Sequence, residues 1–358
     1  MLRRIIVLFA GAALFLLMGP ARAQQEPSWL RLPQPQGRLV AADIAVVINR
    51  QDPYSVAVGA EYAKKRGLAP QQLITLDLPR QAVLSPAEFE AFKTQLDERL
   101  GPQVQALVLA WSQPYAVACN SITGALALGF QPELCKNSCA ASKPSPYPAY
   151  TGHKPFSDLG LRPAMLLAAR SVESAKALIE RGLAADRSLL ERGTPPVQAV
   201  FAATEDKARN VREPLFPPES RLWAHGLQTR RVAQAALPEL SEVLLFQTGL
   251  ARVEGLERIP FIPGALADHL TSLGGQLERS SGPQMSALDW IEAGATASHG
   301  AVSEPCNHLQ KFPHPQLLLL NYLQGQSALE AYWRSVLWPG QSVFVGEPLA
   351  APYGRAPR

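Results

Sequence analysis

Four of the six histidines in this 358-residue chain fall between residues 269 and 314. They stand among other side chains able to move protons or donate electron pairs. Asp268 precedes His269, His299 sits in Ser298-His299-Gly300, and Cys306 sits in Glu304-Pro305-Cys306-Asn307-His308. Gln247-Thr248-Gly249 and His314 complete the polar set. Three roles compete for it. A thiolate nucleophile needs an imidazole to take its proton, which makes Cys306 with His299 or His269 the candidate catalytic pair and Asp268 a further candidate. A metal site would draw on Asp268, His269, Cys306, His308 and His314, but nothing in their spacing puts them on one face, and no metal is expected. The third role is structural, with these residues capping helices and satisfying buried loops. Asp268 and His269, if helical, point about 100° apart and need not act together.

The compartment decides how the thiols are read. Arg3 and Arg4, an apolar run over residues 5–18 and Ala21-Arg22-Ala23 form the three parts of a secretory signal over residues 1–23. That run is short of the roughly 20 residues a membrane-spanning helix needs, and no second segment of that length follows. In an oxidising compartment Cys119, Cys135, Cys139 and Cys306 are disulfide candidates first. Cys135 and Cys139 are close enough for a local bridge, which leaves Cys119 and Cys306 to join distant parts of the chain. A bridged Cys306 cannot be a nucleophile.

The rest of the composition narrows the field. Apolar residues make up 47% and charged residues 18%, a balance that supports a packed core. The 32 prolines argue against a coiled coil or helical solenoid. Removing Arg3, Arg4 and Arg22 takes the formal net charge from +4 to +1, so neither nucleic acid nor an anionic membrane is implied as a partner. No phosphate loop, dinucleotide fingerprint, zincin helix or nucleophile elbow is present, and no cofactor is expected.

The elements that must position the polar cluster alternate strand and helix. After a polar entry over residues 24–37, residues 43–49 read as a buried strand, followed by a helix with Asp52 as N-cap, Pro53 in its first turn and Lys64, Lys65 and Arg66 before Gly67. Residues 73–76 form a short strand, Ser85-Pro86-Ala87-Glu88 a capping box, and residues 104–110 a third strand, an order that predicts a parallel sheet. Residues 111–163 read as a long loop holding three cysteines. A second unit follows: a helix over 171–190, strands over 197–202 and 243–246, a helix over 283–294, a strand over 295–302, a helix opened by Ser327-Ala328-Leu329-Glu330, and a strand over 342–345. The expected division is 38–165 and 166–353, with a tail over 354–358.

Several stretches carry a resemblance. Val46-Val47-Ile48-Asn49, Asp52-Pro53-Tyr54-Ser55, Cys119-Asn120-Ser121-Ile122, Ala265-Leu266-Ala267-Asp268-His269, Gly294-Ala295-Thr296-Ala297-Ser298-His299-Gly300 and Glu304-Pro305-Cys306-Asn307 resemble an uncharacterised family of exported bacterial proteins. More distantly, the layout is similar to the gingipain-type branch of the caspase-like cysteine peptidases. It shares Gly160-Leu161-Arg162-Pro163 before a helix, a late Gly-Ala-x-x-Ser-x-Gly strand, and the closing Gly346-Glu347-Pro348 turn. That resemblance implies two α/β/α halves with mainly parallel sheets. It also implies a His-Gly pair after one strand of the second half and a cysteine after the next. Here those places hold Gln247-Thr248-Gly249 and residues 262–272, with neither histidine in the first nor cysteine in the second. The expectation is therefore an exported, periplasmic or surface-associated, non-catalytic relative that binds a peptide or envelope protein. The alternative is a peptidase or other hydrolase that uses Cys306 with His299 or His269.

Overall fold

The computed structural model describes residues 28–190, 196–278 and 282–355. The expected signal over residues 1–23 lies outside the described residues. The first part of the chain forms β1 (Ile44–Asn49), α1 (Pro53–Arg66), β2 (Leu73–Leu76), β3 (Val83–Leu84), α2 (Pro86–Asp97) and β4 (Ala106–Leu109). Then come β5 (Ala116–Val117), β6 (Asn120–Ser121), α3 (Ile122–Leu128), α4 (Glu133–Lys136), α5 (Pro155–Leu159), β7 (Ala164–Leu166) and α6 (Val172–Ala185). The second part forms β8 (Val197–Ala203), β9 (Ser220–Leu222), β10 (Leu227–Ala233), β11 (Val243–Thr248) and β12 (Phe261–His269). It closes with α7 (Ala287–Glu292), β13 (Ala297–Ala301), α8 (Pro315–Leu323), α9 (Ala328–Ser335) and β14 (Ser342–Gly346).

Eleven of these strands form one sheet in the order β2-β1-β4-β7-β14-β13-β12-β11-β8-β10-β9. Every neighbouring pair is parallel except β13 with β14 and β9 with β10, which gives the mainly parallel α/β fold the sequence predicts. The two halves share this sheet because the last strand of the chain, β14, inserts between β7 and β13. Parallel strands covered on both faces must be apolar throughout, and β1, β4 and β11 are buried at every position.

Local chemistry sets the helix ends. Asp52 Oδ1 accepts the Tyr54 N–H, and Gly67 takes the left-handed conformation that closes α1. Ser85 with Glu88, and Ser327 with Glu330, form reciprocal capping boxes at α2 and α9. Residues 111–163, expected to be a loop, contain α3, α4 and α5. Each is too short to show a helical period, and α3 is started by the Ser121 hydroxyl accepting the Gly124 N–H at 2.9 Å. Among the described residues no helix is long and apolar enough to cross a membrane.

All four cysteines are bridged, as Cys119–Cys135 and Cys139–Cys306. This corrects the expected local Cys135–Cys139 pairing. The cause is the fold of the intervening loop. The Asn120 side chain donates to Gln131 O and accepts from Gln131 N, both at 3.0 Å, which lays residues 131–135 beside Cys119. The buried Lys311 Nζ donates to Ser138 O at 2.7 Å and draws Cys139 to the 303–311 loop.

Candidate functional site

The polar cluster read from the sequence gathers where β11, β12 and β13 end, but on two faces of the sheet. Asp268 and His269 are consecutive residues of a strand, not of a helix, so their side chains leave on opposite sides.

On the Asp268 side, β12 pairs with β11 so that Gln247 lies beside Asp268, and Gln247 Nε2 donates to Asp268 Oδ2 at 2.8 Å. Arg212 Nη1 donates to Asp268 Oδ1 at 2.6 Å and to Pro313 O at 3.2 Å, while its Nη2 donates to Thr248 O at 2.7 Å. Arg212 is 2% exposed and Asp268 fully buried, so this ion pair is shut off from bulk solvent. Burial pushes the Asp268 carboxyl above its ordinary range, and the Arg212 guanidinium and the Gln247 amide pull against it. Leu266 pairs with Ala297, so His299, two residues further along β13, faces the same side as Asp268. Its ring packs against Phe344 at 5.6 Å and Phe312 at 6.0 Å, it is fully buried, and neither ring nitrogen has a hydrogen-bond partner among the described residues. Burial first, and the Arg212 charge second, hold it well below the usual histidine range.

On the other side, His269 Nδ1 accepts the Trp290 indole N–H at 2.9 Å, which leaves Nε2 to donate to Met285 O at 3.2 Å. Both nitrogens are committed, the residue is 1% exposed, and burial lowers its pKa to about 3. It is a neutral core histidine. A general base must be free to reach a proton near working pH, and neither His269 nor His299 is placed to do so.

Cys306 takes the left-handed conformation, with φ at 58°, in its bridge to Cys139, and among the described residues no hydrogen bond joins it to His269 or His299. His314 caps α8, its Nδ1 accepting the Leu317 N–H at 3.4 Å, and His308 stands exposed against Trp338. The five residues weighed as metal ligands are thus spread over two sheet faces, a disulfide, a helix cap and the surface.

The residue that organises the cluster, Arg212, carries no sequence signal of its own; it sits in a mixed-charge stretch with no clear period. Its place follows from topology. The chain leaves β8 for β10 on one side and returns to β11 on the other, a reversal that in open α/β sheets opens a crevice for ligands at the strand ends. Here the segment over residues 204–216 fills it. The Thr204 hydroxyl donates to Gly249 O at 2.8 Å, and a Cβ on Gly249 would overlap the Arg209 carbonyl. Two cavities of about 240 Å³ lie away from the cluster, one lined by Leu96, Leu126, Phe156 and Arg162, the other by Arg38, Lys65, Arg66 and Leu183.

No protein-family model and no curated sequence matches the chain. Among solved structures it is similar to the Arg-specific cysteine proteinase gingipain R, with 12% identity over 88% of this chain and 79% of that one and a TM-score of 0.43. It is likewise similar to a structure described as a protease, with 10% identity, the same coverage and a TM-score of 0.44. A third is a complex of Porphyromonas gingivalis RgpB pro- and mature domains, with 11% identity over 86% and 79% and a TM-score of 0.41.

Proposed function

We propose that this protein is an exported, non-catalytic binding protein on a gingipain-like α/β fold, engaging a peptide or an envelope protein in the periplasm or at the cell surface. One observation carries this reading: all four cysteines are bridged while both candidate imidazoles are sealed in the core. Thiol catalysis needs a thiolate and a base in contact, and a disulfide sulfur supplies no thiolate. Two disulfides, one of them closing a separation of 167 residues, also fit an oxidising compartment.

The test is a thiol count on protein from the exported fraction, by alkylation before and after reduction with peptide mapping, alongside a hydrolysis assay on casein. The expected result is no alkylation without reductant and no hydrolysis above a buffer control. Rapid alkylation of Cys306 without reductant, with hydrolysis abolished by Cys306→Ser, would overturn the reading and put Cys306 with His299 or His269 in its place.

A further inference from the structure

The last two strands of the sheet have features that the buried cluster does not explain. β9 is the edge, three residues long, and pairs on one side only, antiparallel to β10 with Arg221 opposite Gln228. An edge strand presents unpaired backbone groups to any extended chain that approaches it. Next to it stands Trp223, 64% exposed and the most exposed large apolar side chain among the described residues. The Arg221 guanidinium lies 5.4 Å from the Trp223 ring and has no carboxylate partner among the described residues. Arg230, two residues beyond Gln228 on the same face, is a diagonal neighbour of Arg221 and among the described residues reaches only the Gln198 side-chain carbonyl and the Glu239 backbone carbonyl. One carboxylate is already in use on this edge: Glu219 Oε1 accepts the backbone N–H of Arg231 at 3.1 Å, at a point of β10 that β9 does not cover.

We infer that this edge binds an acidic peptide segment in extended form, added as a further strand beside β9. Its carboxylates would meet Arg221 and Arg230, and an apolar side chain would lie on Trp223. Main-chain hydrogen bonds give such a complex its affinity, and alternate side chains give it selectivity. A second copy of this chain is the poorer occupant. Arg221 is the central residue of the three, so two-fold antiparallel pairing of β9 with itself would set Arg221 against Arg221 on one face, and like charges opposite one another destabilise a sheet. This inference rests on the binding-protein reading and names the partner class.

The experiment is fluorescence anisotropy with a fluorescein-labelled decapeptide of alternating glutamate and valine, titrated with the full mature protein. Binding is expected to weaken about tenfold or more with Arg221→Glu, and by a similar factor with Trp223→Ala. It should weaken further as salt shortens the screening length below about 10 Å, and it should be lost when alternate amides of the peptide are N-methylated. Both substituted residues are exposed, and circular dichroism checks that the variants fold. The inference is overturned if no binding occurs, if Arg221→Glu leaves it unchanged, or if the N-methylated peptide or a lysine–valine peptide binds equally well. A dimer in sedimentation that Arg221→Glu abolishes overturns it in favour of a second copy. Mass spectrometry of the titrated peptide separates the two levels: cleavage overturns the binding-protein reading itself, whereas an intact peptide that does not bind overturns only the assignment of the edge.

Discussion

Two buried ion pairs cross this molecule, and they differ in how completely their polar atoms are matched. Near the end of β14, Glu347 is fully buried and both of its oxygens face Arg66. Oε1 accepts from Tyr62 Oη at 2.8 Å and Arg66 Nε at 2.9 Å, while Oε2 lies 2.7 Å from Arg66 Nη2 as an ion pair without hydrogen-bond geometry. Arg66 Nη1 pairs with Asp186 at the end of α6. The network ties the first helix to the last strand. At Asp268 each carboxylate oxygen accepts a hydrogen bond, yet the groups around it are not matched. Arg212 Nε, Gln247 Oε1, Ser298 Oγ and both nitrogens of His299 are buried without a partner among the described residues. Each unmatched buried polar atom costs about 1–3 kcal/mol. The two unbonded atoms of the Glu347 network, Arg66 Nη2 and Glu347 Oε2, at least face each other as an ion pair, so that network has the composition of a clamp, whereas the Asp268 cluster holds more polar groups than holding the fold requires.

The sharpest way to break this contrast is to remove one cation at a time. Arg212→Met and Arg66→Met each leave a carboxylate in the core and should each cost about 3–5 kcal/mol in urea unfolding at neutral pH. The combined replacements should then separate. Arg212→Met with Asp268→Leu and Gln247→Leu removes both charges and the amide that Asp268 holds, and should recover most of the loss, since a buried pair is often no better than its apolar equivalent. Arg66→Met with Glu347→Leu leaves the buried Tyr62 hydroxyl and Asp186 without their partners, so a deficit of about 1–3 kcal/mol should persist. Equal recovery in both pairs would erase the distinction.

Titration offers a second separation. His269 is lowered to about 3 and His299 lies well below its ordinary value, in both cases chiefly by burial, while in the unfolded chain each should titrate near 6.5. Below about pH 6.5 the unfolded state thus binds protons that the folded state refuses. Stability should be full above that pH and fall as the pH drops, by up to about 1.4 kcal/mol per pH unit for each histidine. Asp268 acts with the opposite sign, because its raised carboxyl takes a proton in the folded state first and offsets part of the loss in the carboxylate range. Arg66→Met combined with Glu347→Leu should keep the wild-type slope between pH 7.5 and 5, and His299→Phe should lower it by the share of one of the four depressed histidines. If His299→Phe keeps the full slope, the histidine is protonated in the folded protein and the cluster is wetter than its burial implies.

The clamp and the cluster were unequally legible in the sequence. The ends of α1 are written in Asp52, Pro53 and Gly67, and the unbroken apolar run of β1 could be read directly. The Gly346-Glu347-Pro348 turn was visible, but its ion pair was not, because Arg66 reads equally well as a cation at a helix C-terminus. β12 was missed for a physical reason. Pro263 and Gly264 break its pattern, its pairing with β11 shifts register between Val243 and Leu245, and its last residues are charged or polar although buried. α8 was missed because its run of four leucines, buried among neighbours, has no polar face to mark a period. Once β12 is misread, Asp268 and His269 cannot be assigned to opposite faces, and Arg212 cannot be placed at all.

The smallest pair of effects tests the contrast most directly, because it sets two histidines of similar burial against each other. His269→Phe removes the acceptor of the Trp290 N–H and the donor to Met285 O, both already buried, and should destabilise by about 1–3 kcal/mol. His299→Phe removes two nitrogens that bond to nothing described and puts an apolar ring in place of the imidazole between Phe312 and Phe344, so it should be neutral or stabilise by about 1 kcal/mol. Thermal unfolding of both variants above pH 7, where neither histidine is charged, reads the difference without the titration. A stabilised His299→Phe protein with unchanged peptide binding would assign the unmatched imidazole no role in recognition. A stabilised protein that binds less would show that the second region gives up stability for a function the clamp does not share.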